Sequence, residues 1–253
     1  VILLLNKIDL WKKASILRKN LGEDATSPIN ILSIAYSIER LTIVFYPMGD
    51  HLSGMCIKND NNKVIAINSL MSVGRQHFSM AHELFHLTYD ENLTAICAKK
   101  IGLGNEKENQ ADQFASYLLM PPDALTEMIK HAKNNSENKL TVKDVVKIEQ
   151  HFRVSRQAIL YRLIQESEIT QQEVDKLRQN VIRSAVIFGY DDALYKPLPI
   201  NKQYMTYGFY IQQADEAFRK GLISSGKYEE LLLSANRSDL VYGEEIEGSE
   251  MID

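Results

Sequence analysis

Two histidines four residues apart in an otherwise apolar stretch constrain this chain more than any other feature. Residues 78–87 read Phe-Ser-Met-Ala-His-Glu-Leu-Phe-His-Leu. On a helix, that spacing stacks His82 and His86 on one face, so both imidazoles can reach a single ion. Met80, Ala81, Leu84, Phe85 and Leu87 make the flanks apolar, as a helix buried in a domain requires. A plain structural helix with two surface histidines fits those flanks poorly. The fold must therefore carry a buried helix that presents polar side chains to the interior. Zinc suits two neutral imidazoles, and a catalytic zinc takes a third protein ligand and keeps one position open. Glu83, next to His82, is the candidate base that moves a proton between a water and a leaving amine.

The third ligand must come from elsewhere. The pattern HExxHxxGxxH is absent, because Tyr89 stands where its glycine would be and Asn92 where its last histidine would be. The segment Glu108-Asn-Gln-Ala-Asp112 supplies a carboxylate instead. Glu108 and Asp112 share a helix face, so Glu108 could bind the ion while Asp112 accepts the second N–H of a ligand histidine. Glu106 competes for the ligand role, and Glu108 is preferred because only it has the acidic partner four residues on. Phe114, Ala115, Leu118 and Leu119 give this segment an apolar side to lay against the first helix. His77, Tyr89 and Tyr117, and also His51, are candidates for stabilising a developing oxyanion or contacting substrate.

The 253 residues suffice for one large domain or two modest ones, and a formal net charge of −4 argues against a protein that wraps nucleic acid. Cys56 and Cys97 have no metal-site spacing and are expected to be reduced thiols. The five apolar residues Val1–Leu5 are too few for a signal-peptide core, and no stretch approaches the roughly 20 apolar residues of a membrane span. The expectation is a cytoplasmic protein.

Patterning gives one or two helices over 1–20, a helix start at Ser27-Pro28 and a short buried helix over 29–38. Strands are expected over 41–46, 54–58 and 63–68, with a turn at Asn59-Asp60-Asn61-Asn62, giving a small antiparallel sheet of about three strands. A strand edge near 52–58 or 64–68 could hold an extended peptide. Helices follow over about 75–89 and 107–119, ending before Pro121-Pro122, then two over 141–165 capped by Thr141 and Ser155. Another should run from Thr170 to about Ser184, with further helices near 212–220 and 225–235 and a frayed acidic tail after Asp239. Arg153, Arg156 and Arg162 near the break at Val154 invite a DNA-binding helix-turn-helix reading, but Ile159, Leu160, Leu163 and Ile164 are better explained as core, so a packing or substrate-contact role is favoured. The aromatics Phe188, Tyr190, Tyr195, Tyr204, Tyr207, Phe209 and Tyr210 read as ordinary core or an accessory surface.

The stretches Arg75-Gln-His-Phe-Ser-Met-Ala-His-Glu-Leu-Phe-His86 and Glu108-Asn-Gln-Ala-Asp-Gln-Phe-Ala-Ser-Tyr-Leu-Leu-Met-Pro121 resemble the ImmA/IrrE family of zinc metallopeptidases. The region near Gly54 and 65–68 resembles the family's strands before the catalytic helix, and 152–163 its later helical segment. The resemblance covers roughly 25–165. It implies an α+β fold: a mostly helical zincin-like core over 1–135, a helix-turn-helix-like segment over 136–184 packed on it, and an accessory region over 185–253. It also implies one zinc ion on His82, His86 and Glu108, with Glu83 as base in an endopeptidase. Such proteins often accompany helix-turn-helix repressors on mobile elements or in stress circuits and cleave them to derepress transcription. Phe85 departs from the glycine common in the family. The competing function is a non-catalytic zinc-fold binding or sensor module that regulates a transcription factor or contacts DNA.

Overall fold

The computed structural model describes residues 2–49, 51–90, 94–98, 101–102, 105–133 and 139–243, with 2–5 and 94–98 described in their backbone alone. Helices α1 (Ile2–Asn20) and α2 (Ile31–Tyr36) precede strands β1 (Leu41–Tyr46), β2 (Leu52–Lys58) and β3 (Lys63–Asn68). Helix α3 (Val73–Tyr89), strand β4 (Thr94–Ala98) and helices α4 (Glu106–Leu119) and α5 (Pro122–Ala132) follow. Then come α6 (Val142–Phe152), α7 (Arg156–Gln165), α8 (Gln171–Leu177) and α9 (Val181–Ile187), strand β5 (Met205–Gly208), and α10 (Phe209–Arg219), α11 (Ser225–Ser234) and α12 (Ser238–Tyr242). The fold is α+β and mostly helical, as expected.

The sheet differs from the expected antiparallel trio. It has five strands in the order β4-β2-β3-β1-β5, and β1 runs parallel to β3. β2 and β3 form the expected hairpin, closed by the Asn59 side chain, which accepts the N–H groups of Asn61 and Asn62. β3 then sits between β2 and β1, so the 47–51 connection must cross the end of β3. Asn68, the last residue of β3, holds that crossing: its amide bonds Met48 N and the carbonyls of Met48, Gly49 and Leu52. Consecutive strands pair often but not always, and here one buried asparagine marks the exception. The outer strands are short and come from distant parts of the chain, which is why local patterning passed over them. Because β2 and β3 each have neighbours on both sides, neither offers the peptide-binding edge expected near 52–58 or 64–68; the outer strands are β4 and β5.

Helix α3 lies across β2 and β3 and is covered by α4, which in turn packs on α1. Every residue of α3 from Gly74 to Leu87 is buried, so this helix is an interior element on all its faces. A continuous apolar core runs from Leu10 on α1 to Leu177 on α8, spanning both the 1–135 and 136–184 segments. β5 carries the 185–253 segment onto the sheet by pairing with β1.

Three local expectations are corrected. α2 starts at Asn30, whose side chain caps Ser33 N, and not at Ser27-Pro28. Asp24 gathers the N–H groups of Thr26 and Ser27 into a turn, and the Ser27 carbonyl is taken by Arg18. The helix expected from Thr170 to Ser184 breaks into α8 and α9 at Asn180, in left-handed conformation at φ 50°; Arg156 binds the Leu177 carbonyl where α8 ends. α5 was not expected, although Pro122 opens it at a position where proline loses no hydrogen bond. Past Asp239, α12 continues to Tyr242, and the acidic tail over 244–253 lies outside the described residues, as does the Cys97 side chain. Among the described residues no helix is long and apolar enough to cross a membrane.

Candidate metal centre

α3 and α4 face each other through their polar stripes. His82 comes from the second half of α3 and His86 from its last turn, and Glu108 comes from the first turn of α4, where Asn105 caps the Glu108 N–H. The two Nε2 atoms are 3.2 Å apart. The Glu108 carboxylate straddles them, with Oε2 3.3 Å from His82 Nε2 and Oε1 3.3 Å from His86 Nε2. Among the described residues these three form the group of side chains able to hold a metal ion.

The far side of each ring fixes what the near side is. His82 Nδ1 meets Asp112 Oδ1 at 2.8 Å, and His86 Nδ1 meets Asp90 Oδ2 at 3.3 Å. An ionised carboxylate only accepts, so each Nδ1 must carry the hydrogen. In the neutral rings both Nε2 atoms are then lone pairs. Two lone pairs and a carboxylate converge with no donor among them. Such a group calls for a proton or a metal cation between its members. Bonds of about 2.0–2.1 Å to a tetrahedral zinc put neighbouring donors about 3.3 Å apart, which the observed separations match.

Protons reflect the same arrangement. Burial of His82 works against its charged form, but the bonds to Asp112 and Glu108 and the charges of Asp112 and Glu83 outweigh it and raise its pKa to about 9. Burial also works against an ionised Glu108, yet its bonds to His82 and His86 hold it well below the usual carboxylate range.

Glu83 is fully buried on the side of α3 that meets the sheet. The backbone of β2 passes directly over its carboxylate at Gly54. A Cβ there would lie 2.9 Å from Glu83 Oε1 and 3.0 Å from the Ala66 carbonyl, so that position accepts only glycine without displacement. Gly74 does the same at the start of α3, where a Cβ would lie 2.7 Å from Ser155 N. Helix α3 is thus seated against the sheet through Glu83 and against the α6–α7 turn at its start.

The structure brings together His82, Glu83, His86, Glu108 and Asp112. Glu106 is exposed and reaches Gln110, not the histidines. Of the other candidates, His77 and Tyr89 have a polar atom engaged elsewhere. His77 sits roughly 160° around α3 from the ligand pair, and its Nδ1 is 2.8 Å from the Arg153 carbonyl. The Tyr89 hydroxyl donates to Lys13 O on α1 at 3.0 Å. Tyr117 lies under the Arg162 guanidinium, 4.4 Å from its ring centre. His51 is exposed in the 47–51 crossing. Phe85 packs on Phe114 of α4 in the α3–α4 seam and sets its ring edge-on against that of His86. Asp90 was missed by sequence reasoning. The signal was available, because Asp90 follows His86 by four residues just as Asp112 follows Glu108.

The sequence from Arg40 to Ile164 matches the model of the Peptidase_M78 family, the IrrE N-terminal-like domain. Residues 40–164 are a Peptidase_M78 domain. No curated protein matches the chain in sequence. The Peptidase_M78 segment contains the three converging side chains, Glu83, and both carboxylates behind the rings, so the domain is peptidase-like in family and carries a possible three-residue metal site.

Proposed function

We propose that this chain is a single-zinc endopeptidase, with the ion on His82, His86 and Glu108. The observation that carries the reading is the convergence of two imidazole lone pairs and a carboxylate at 3.2–3.3 Å. A zinc ion held there would polarise a scissile carbonyl and acidify water. Glu83 takes the proton of the attacking water on its carboxylate and delivers it to the departing amine nitrogen, which leaves as a neutral amine. Asp112 keeps His82 in the tautomer that offers Nε2. The substrate chain lies extended along the outer edge of β4, the strand next to β2 and hence close to Glu83. The catalytic unit comprises the core over 1–135 together with 136–184, and 185–253 is accessory.

The substrate class we favour is a helix-turn-helix repressor encoded beside this protein, which links cleavage to transcription as the family resemblance implies. The test is incubation of that repressor with the zinc-loaded protein and with Glu83→Gln. The wild type should yield a discrete fragment. Glu83→Gln should bind zinc equally well and cut about 10²–10⁴-fold more slowly. Equal cutting by the variant would remove Glu83 from the mechanism. Zinc binding with no cleavage by the wild type, and an undiminished cellular effect of Glu83→Gln, would favour the non-catalytic binding module.

A further inference from the structure

The C-terminal end of α3 is held by Asp90 and by Lys58. Asp90 follows the helix, and its N–H bonds the His86 carbonyl at 3.1 Å. Its side chain is only 5% exposed. Oδ2 faces His86 Nδ1 at 3.3 Å, and Oδ1 receives the Lys107 ammonium at 2.6 Å. Lys58, the last residue of β2, places its ammonium on the carbonyls of Leu87, at 3.1 Å, and of Asp90.

A carboxylate at the C-terminal end of a helix opposes the helix dipole. A residue serving only to end the helix would be glycine, asparagine or a cation. Asp90 needs another reason, and two of its contacts supply one. It accepts the N–H of a ligand ring, and it holds the residue that immediately precedes Glu108 on α4. One carboxylate therefore touches the second histidine directly and the third ligand's helix through Lys107. The two histidines are supported differently. Asp112 is backed by the Gly102 N–H at 2.6 Å and is buried. Asp90 is backed by Lys107, whose side chain is 55% exposed.

We infer that Asp90 and Lys107 act as a positioning couple that sets His86 and the first turn of α4 for metal binding. This rests on the metal-site reading above. Partners behind metal ligands commonly contribute about 10–100-fold in affinity. Asp90→Ala should weaken zinc binding by that amount, measured by chelator competition, and should alter the visible absorption of the cobalt(II) form. Lys107→Met should weaken zinc binding less, and Lys107→Arg should restore it. Because Lys107 acts through Asp90, adding Lys107→Met to Asp90→Ala should change affinity no further.

A wild type that takes up neither zinc nor cobalt(II) stoichiometrically overturns the metal site itself, and the couple with it. A wild type that binds while Asp90→Ala binds equally well, with an unchanged cobalt spectrum, overturns the couple and leaves the metal site standing. If Asp90→Ala does not fold, the half-exposed Lys107 decides: unchanged affinity in Lys107→Met overturns the proposal, and weakening rescued by arginine supports it.

Discussion

Glu149–Arg156 and His82–His86–Glu108 are both buried polar clusters, and their chemistry is opposite. Glu149 is fully buried and receives three donors: Arg156 Nε at 2.6 Å, Arg156 Nη2 at 2.8 Å and the Tyr195 hydroxyl at 2.7 Å. The rest of the guanidinium goes to the Leu177 carbonyl and the Ser184 hydroxyl. Donors meet acceptors, and the cluster is closed. At the α3–α4 seam, neutral rings and a carboxylate leave acceptors facing acceptors, so that cluster is closed only by a proton or a metal cation. Burial of polar groups therefore does not by itself mark a site. A mismatch of donors and acceptors does, because buried polar groups are normally paired. The closed cluster also accounts for Arg156, and Arg162 is likewise internal, bonding Ser116 and Glu166. Of the three arginines near the α6–α7 turn, Arg153 alone is exposed.

The comparison breaks most sharply by removing one member from each cluster. Glu108→Ala should weaken zinc binding by more than about 100-fold, beyond what supporting partners contribute, and should leave the metal-free protein folded. Arg156→Met should leave Glu149 buried without its cation, at a cost of about 3–5 kcal/mol. That corresponds to a fall in melting temperature of roughly 10 °C for a chain of this size. Zinc affinity of the folded variant should be unchanged. Chelator competition and thermal melts on both variants measure this. If the two variants produced the same signature, the distinction between a closed and an open cluster would fail.

Protons sharpen the contrast next. With the His82 pKa raised to about 9, the metal-free protein holds a proton in the centre at neutral pH. Zinc must displace it, so apparent affinity should rise about tenfold per pH unit from pH 7 and level off near 9. The folded-state value lies above the unfolded one, so the stabilisation it brings is complete below the unfolded pKa of about 6.5 and is lost as pH rises towards 9. Chelated protein should thus melt progressively lower across that window, while the zinc-loaded protein should not. Zinc titrations and melts between pH 6.5 and 8.5 are the measurement. A flat affinity profile would show that no proton occupies the cluster.

The group of side chains that converges at the α3–α4 seam was legible in the sequence because each part is a local spacing. His82 and His86 are four apart, and so are Glu108 and Asp112; the helix converts both spacings into faces. The same rule applied to His86 would have found Asp90. The caps at Thr141 and Ser155 were readable for the same reason, since each bonds a backbone N–H three residues on. What escaped was non-local. The parallel pairing of β1 with β3 depends on Asn68 reaching a loop some twenty residues earlier. β4 and β5 owe their existence to partners far along the chain. The roles of Tyr89 and His77 depended on which carbonyl lay opposite, and no spacing encodes that. Phe85 and Phe114 were recognisable as apolar, but their fit across the α3–α4 seam belongs to the tertiary structure.

Gly54 tests the link between that non-local sheet and the local motif. Its Cα–H faces the Glu83 carboxylate, and a methyl group there would sit 2.9 Å from Oε1 and 3.0 Å from the Ala66 carbonyl. The carbonyl belongs to β3 and is fixed by the sheet, so Glu83 is the group that must move. Gly54→Ala should therefore slow peptide hydrolysis by roughly 10-fold, in keeping with the sensitivity of catalysis to small displacements. Zinc affinity should be preserved, since a methyl group at position 54 would meet Glu83 and Ala66 and none of the three converging side chains. Gly54→Ala combined with Glu83→Gln should be no slower than Glu83→Gln alone, because the glycine acts only through that carboxylate. Steady-state rates on one peptide substrate for the two single variants and the double variant decide it. A further loss in the double variant would mean that Gly54 serves the substrate strand rather than the base.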